Sequence, residues 1–266
     1  MQGNWIGSDA SGTQALPNAG SGVALRVGID GGGFTVEENL ISGNMENGVE
    51  VSSDPDGRAI TVRNNLIGTD ISGLMPLGNR GNGLASTHQG GRPSLVSISG
   101  NVIAFNEGDG VRVMGEGRAS TRIKENQIFL NGRLGINLVG GSEDACGVTA
   151  NTRCGSVSGP NNLQNYPVVS SAQLSEQGVV VTGLLESRPN QDHTIEFFVN
   201  DAPNACSGFG EGQRFIDALP LRTDADCLAP FTVEIPGEFQ AGQFITATAK
   251  DQDGKTSEFS RAIPVN

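Results

Sequence analysis

The chain has 266 residues, 39 of them glycine, and only one Trp and one Tyr. Lys and Arg total 17 and Asp and Glu 29, a net charge of -12 that argues against nucleic acid and anionic membranes as partners. No apolar run reaches the length of a membrane span, and no P-loop, dinucleotide fingerprint or HExxH motif is present, so neither membrane insertion nor those chemistries are expected.

The first half repeats itself. Asn4 to Ala24 matches Asn65 to Ala85 at an offset of 61, and Asn39 to Val51 matches Asn101 to Val113 at an offset of 62. A fifth copy runs from Asn126 to Leu138. One Asn recurs at 4, 39, 65, 101 and 126, and a second at 18, 44, 79, 106 and 131, each four residues before a Gly. Copies one and three carry longer arms, Gly7 to Gly12 and Gly68 to Gly73. Every copy offers short strands of period two: the Val49-Glu50-Val51 type, the Ile60-Thr61-Val62 type and the Leu66-Ile67 type. A unit of about 25 residues without a helix cannot bury its own apolar face, but it can against copies of itself. Equivalent Asn side chains then form ladders. Asp-x-Ser-Gly in each arm is a turn signature, and Asp9 and Asp70 there, like the paired carboxylates of the loops discussed below, could hold Ca²⁺; no other cofactor is expected.

Asn64-Asn65-Leu66-Ile67-Gly68-Thr69-Asp70 and Ile41-Ser42-Gly43-Asn44 resemble the right-handed parallel β-helix repeats of secreted bacterial proteins, a fold shared with pectate lyases. The resemblance covers residues 3 to about 140 and implies an all-β chain of about five rungs; no lyase catalytic motif carries over with it. The sequence runs from Met1-Gln2 straight into a repeat unit, without a signal peptide. The expectation is a fragment whose uncapped first rung exposes strand edges through which a homodimer could form.

The repeat frame is lost over residues 141–165, which read as a cap and linker after a β-helix over residues 1–140. Cys146 and Cys154 bracket a seven-residue loop, and Cys206 and Cys227 lie 21 apart, so two local disulfides are expected. They imply an oxidising compartment: a secreted or cell-surface bacterial protein, or a periplasmic one. Residues 166–266 show about seven short alternating runs, from Val168-Val169 to Ser257–Ala262. They read as an antiparallel sandwich that resembles the immunoglobulin-like modules following β-helices in secreted bacterial proteins.

Outward positions of successive rungs lie side by side, so the loops after the Val-x-Val strand are the place to look for chemistry. They carry Asp54, Asp56 and Arg58, then His88 and Arg92, then Glu116 and Arg118. A His between carboxylates has a raised pKa and serves as general acid or base, so Asp54, Asp56, His88 and Glu116 form the candidate catalytic set. Arg58, Arg92 and Arg118 belong to the candidate substrate-binding residues. So do Glu50 and Arg112 of the exposed ladder Ala24, Glu50, Ala85, Arg112, Asn137. His193 is expected on an exposed loop. Two functions follow as expectations. One is carbohydrate binding or adhesin-type scaffolding toward an extracellular glycan or cell-surface partner. The alternative is a polysaccharide lyase or glycoside hydrolase working through the His88 face.

Overall fold

A computed structural model describes residues 1–27, 33–53, 59–88, 95–115, 120–155 and 157–266. The chain is all-β. Its first half visits three parallel sheets in turn. The first holds Trp5–Ile6, Leu40–Ile41, Leu66–Ile67, Val102–Ala104 and Gln127–Phe129. The second holds Val23–Val27, Val49–Ser53, Leu84–His88, Val111–Gly115 and Ile136–Leu138. The third holds Phe34–Glu37, Ile60–Arg63, Leu95–Ser99 and Ser120–Lys124. Register follows the repeat: Ile6, Ile41, Ile67, Ile103 and Ile128 are successive partners, as are Val23, Val49, Leu84, Val111 and Ile136. The inward residues of the three sheets form one continuous core along the stack.

Both Asn series form ladders. The Nδ2 groups of Asn4, Asn39, Asn65 and Asn101 each donate to the Oδ1 of the next Asn at 2.9 Å, ending at Asn126. Asn18, Asn44, Asn79 and Asn106 do the same at 2.8–3.0 Å, ending at Asn131. The receiving Oδ1 also takes the backbone N–H of the donor residue, as from Asn65 to Asn101 at 2.9 Å. One buried amide thus ties side chain and main chain of two rungs together. The residue before each Asn of the first ladder is in the left-handed region: Glu38, Asn64, Gly100 and Glu125 have φ of 57, 54, 65 and 53°. That corner turns the amide along the stacking axis.

The arms behave as turns. Asp9 accepts the N–H groups of Ser11, Thr13 and Gln14, and Asp70 those of Ser72 and Met75. The Ser11 and Ser72 hydroxyls lead in lowering the two carboxyl pKa values. The arms touch, Ile71 N donating to Gly12 O at 3.0 Å. Gly12 lies over Leu40 and Gly73 over Leu66, which covers the apolar outer stripe there while Trp5 stays exposed.

The second half is two antiparallel sheets. One is ordered Val168–Leu174, Gly178–Glu186, Leu228–Pro236; the other is ordered Arg214–Arg222, Asp192–Asn200, Phe244–Asp251, Ile263–Pro264. Pro220, Pro230 and Pro236 sit in the outer strands, where a missing N–H discourages further pairing. This unit closes the last rung. Gly212 and Ile128 exchange backbone hydrogen bonds, and Phe198 and Phe259 join the core of the parallel stack. Side chains take the remaining orphan groups. Asn161 accepts from Thr121 N and donates back to Thr121 O; Thr256 does both for Ile123. Glu196 takes Glu125 N, Glu211 takes Leu130 N and Asn131 N, and Glu258 takes Leu138 N and Thr149 N. Glu211 stands where a sixth Asn of the second ladder would stand.

Three expectations are corrected. The disulfides are Cys146–Cys206 and Cys154–Cys227, so each ties the linker to the antiparallel unit instead of closing a local loop. Spacing alone misleads here because folding brings residue 146 to a loop 60 residues on. Closing loops of 60 and 73 residues constrains the unfolded chain by roughly 4 kcal/mol each. Ser257–Ala262 is buried chain with only isolated bridges; its polar groups serve the cap, and the strand is Ile263–Pro264. His193 is buried in a strand, its ring nitrogens without a hydrogen-bond partner, and burial lowers its pKa against the pull of Asp251 and Asp192.

Two outcomes follow. Asn101→Ala leaves Asn65 and Asn126 with unmet groups and should cost about 3 kcal/mol by urea unfolding; a loss near zero would mean the ladder is incidental. Burial raises the pKa of Glu211 from 4.5 to about 7 and of Glu258 to about 8, against the N–H groups they accept. The folded state therefore holds protons the unfolded state releases. Stability from this source is present below pH 4.5 and lost as pH rises through 7 and 8. The thermal midpoint should fall between pH 5 and 9, and Glu258→Gln should flatten the upper part of that fall.

Candidate functional site

Asp54, Asp56, Arg58, Arg92, Glu116 and Arg118 lie outside the described residues. His88 does not present itself to solvent as a general acid or base would. It is 5% exposed, and its Nε2 lies 2.8 Å from the Thr121 hydroxyl and 3.4 Å from that of Ser86. The elevated pKa expected from neighbouring carboxylates is reversed: burial pushes it down to about 4. The ring is neutral at neutral pH and belongs to a polar pocket within the stack. Gly115 borders it with φ +101°, and a Cβ there would come within 2.0 Å of the His88 carbonyl oxygen.

The ladder Ala24, Glu50, Ala85, Arg112, Asn137 is in register as read, but it is not exposed throughout: Ala85 and Asn137 are buried. Glu50 accepts the Ser21 hydroxyl at 2.9 Å, far from the cap. Arg112 and Asn137, at the last two rungs, border a groove of about 440 Å³. Its floor is Asp109, fully buried, which accepts Arg112 Nη1 at 2.9 Å, Asn137 Nδ2 at 3.0 Å and Leu134 N at 3.2 Å. Those bonds fix the Asn137 amide, whose Oδ1 is buried and accepts no hydrogen bond from a described residue. Arg133 stands exposed on the rim, with no ion pair among the described residues. The far wall comes from the linker and the antiparallel unit, joined by Cys146–Cys206. Asn204 Nδ2 holds that wall to Arg133 O at 2.7 Å.

The groove offers planar donors, and its carboxylates also accept backbone N–H groups. Asp144 Oδ1 accepts Cys146 N and Val148 N, and Glu143 Oε1 accepts Gly140 N at 2.6 Å. Among the described residues no cluster of three or more His, Cys, Asp or Glu side chains could hold a metal. No helix there is long and apolar enough to cross a membrane.

Sequence reading found Arg112 and missed Asp109, Asn137 as a fixed acceptor, Arg133 and Asn204. A signal for Asp109 was present. Asn47 and Asn82 occupy the same corner one residue before Gly48 and Gly83, and they form a short third ladder that Asp109 N joins at 2.9 Å. The fourth rung has Asp where that ladder asks for Asn. In comparisons with known proteins, no family model matches the chain and no curated protein matches it.

Asp109→Ala strands the Arg112 guanidinium and the Asn137 amide and should cost about 3 kcal/mol. Asp109→Asn restores the ladder residue, keeps an acceptor for Leu134 N, and should cost about 1 kcal/mol. Equal losses in calorimetry would contradict the ion-pair floor.

Proposed function

We propose that this chain is an extracellular carbohydrate-binding protein: a right-handed parallel β-helix closed by an immunoglobulin-like sandwich, with the Arg112–Asn137 groove as its ligand site. The observation that carries this is the polar groove at the last two rungs, where Arg112 is fixed over buried Asp109 and the exposed Arg133 guanidinium stands on the rim. A sugar offers hydroxyls that accept from both guanidinium groups. A groove of this size with a few placed polar groups has the character of a small-ligand site. The two disulfides accord with an oxidising compartment outside the cytosol. Binding rather than bond cleavage is favoured because Asp109 is fully buried with both oxygens engaged and His88 is neutral and enclosed.

Affinity electrophoresis in gels containing xylan, pectin, β-glucan or soluble chitin derivatives tests the reading. At least one polysaccharide should retard the protein, and Asn137→Ala with Arg133→Ala should weaken that retardation roughly tenfold or more. Retardation by none, or retention unaffected by these substitutions, would refute it.

A further inference from the structure

We infer that the carbohydrate site continues around the corner of the last rung into a second, apolar groove, so that its ligand is a linear chain of several sugar units. This rests on the reading just given. The second groove has a volume of about 520 Å³. Phe105, Gln127, Phe129 and Leu130 form its floor, Leu74 at the tip of the second arm forms one end, and Gln213 of the antiparallel unit forms the opposite lip. Phe105 and Phe129 meet edge to face, their centroids 5.7 Å apart.

Leu130 is the telling residue. It is 60% exposed and sits at φ 53°, at the corner before the ladder residue Asn131. The second rung has Gly43 at that corner, which takes a left-handed backbone without penalty, while the fourth rung has Phe105 there at φ 61°, also in this groove. A leucine there costs about 1 kcal/mol of backbone strain and leaves an apolar side chain in water. The exposed Leu130 side chain, beside Phe105 and Phe129, suits a ligand with an apolar face. The C–H face of a sugar ring fits such a floor, and the amides of Gln127 and Gln213 can serve hydroxyls at its edge, since an amide both donates and accepts.

The two grooves share a ridge. Leu130 borders the apolar groove and Gly132 the polar one, with Asn131 alone between them. Two residues of chain span about 7 Å at most. On the opposite side Asp201 borders the apolar groove and Asn204 the polar one. A linear glycan passing over Leu130–Arg133 therefore meets an apolar floor first and a hydrogen-bonding one next.

Calorimetry with the dimers and hexamers of cello-, xylo-, chito- and galacturono-oligosaccharides tests this. For the sugar that binds, the hexamer should bind roughly tenfold more tightly than the dimer, and Leu130→Gly should erase that preference. Leu130→Gly also relieves the left-handed strain, so its melting temperature should not fall, which separates lost contact from lost fold. Equal hexamer and dimer affinities in the unmodified protein, or a preference that survives Leu130→Gly, would overturn the extension while leaving the polar groove intact. Dimer binding unchanged by Asn137→Ala, or no binding of any oligosaccharide, would remove the parent reading and this inference with it.

Discussion

The backbone of a parallel stack must find partners at both ends and at every corner, and in this protein the side-chain amide is the group that supplies them. An Asn can receive a rung's N–H on Oδ1 while donating onward through Nδ2, so one residue type at one turn propagates indefinitely. Strand pairing holds the flat faces; the amides hold the corners, where strand pairing stops. Burial makes the arrangement strict, because an unmet amide in the stack costs more than the bond it replaces contributes.

The same constraint explains the cap. A final rung of repeat sequence would leave its own orphan groups, so the chain changes architecture and brings in side chains that each imitate part of a rung. Asn161 and Thr256 both donate and accept, as backbone does. Glu196, Glu211 and Glu258 accept N–H groups there. Burying three carboxylates to do this is costly, and the elevated pKa values of Glu211 and Glu258 are the measure of it. The disulfides then bind the linker to the capping unit, so neither can peel away alone.

Much of the stack was legible in the sequence because its cause is periodic. Asn101, Asn106 and Gly110 recur at fixed offsets, and the observed partners are those the offsets give. What was not legible is what depends on a single long-range meeting. Nothing local distinguishes Cys146–Cys206 from Cys146–Cys154. Glu258 reads as a strand residue until the N–H groups of residues 138 and 149 are seen beside it. His88 stood out by rarity and by its place in a loop-bearing rung, but its strand runs two residues further than the Val-x-Val frame and turns the ring inward. The candidate groove was half visible: Arg112 is on the outward ladder, whereas Asn137 matters only because Asp109 fixes it. Asp109 itself is a break in a ladder, and breaks in a repeat are where function separates from stacking.

The groove thus arises where the repeat ends and a different unit begins, with one wall from each and a disulfide across them. The most direct test of this account is solution NMR on protein labelled at asparagine and arginine side chains, titrated with the polysaccharide that retards it most. The Asn137 amide and the Arg112 and Arg133 guanidinium resonances should shift together and saturate, with the ladder amides of Asn65 and Asn101 unmoved. Shifts confined to the His88 side of the stack, or spread evenly over the surface, would contradict it.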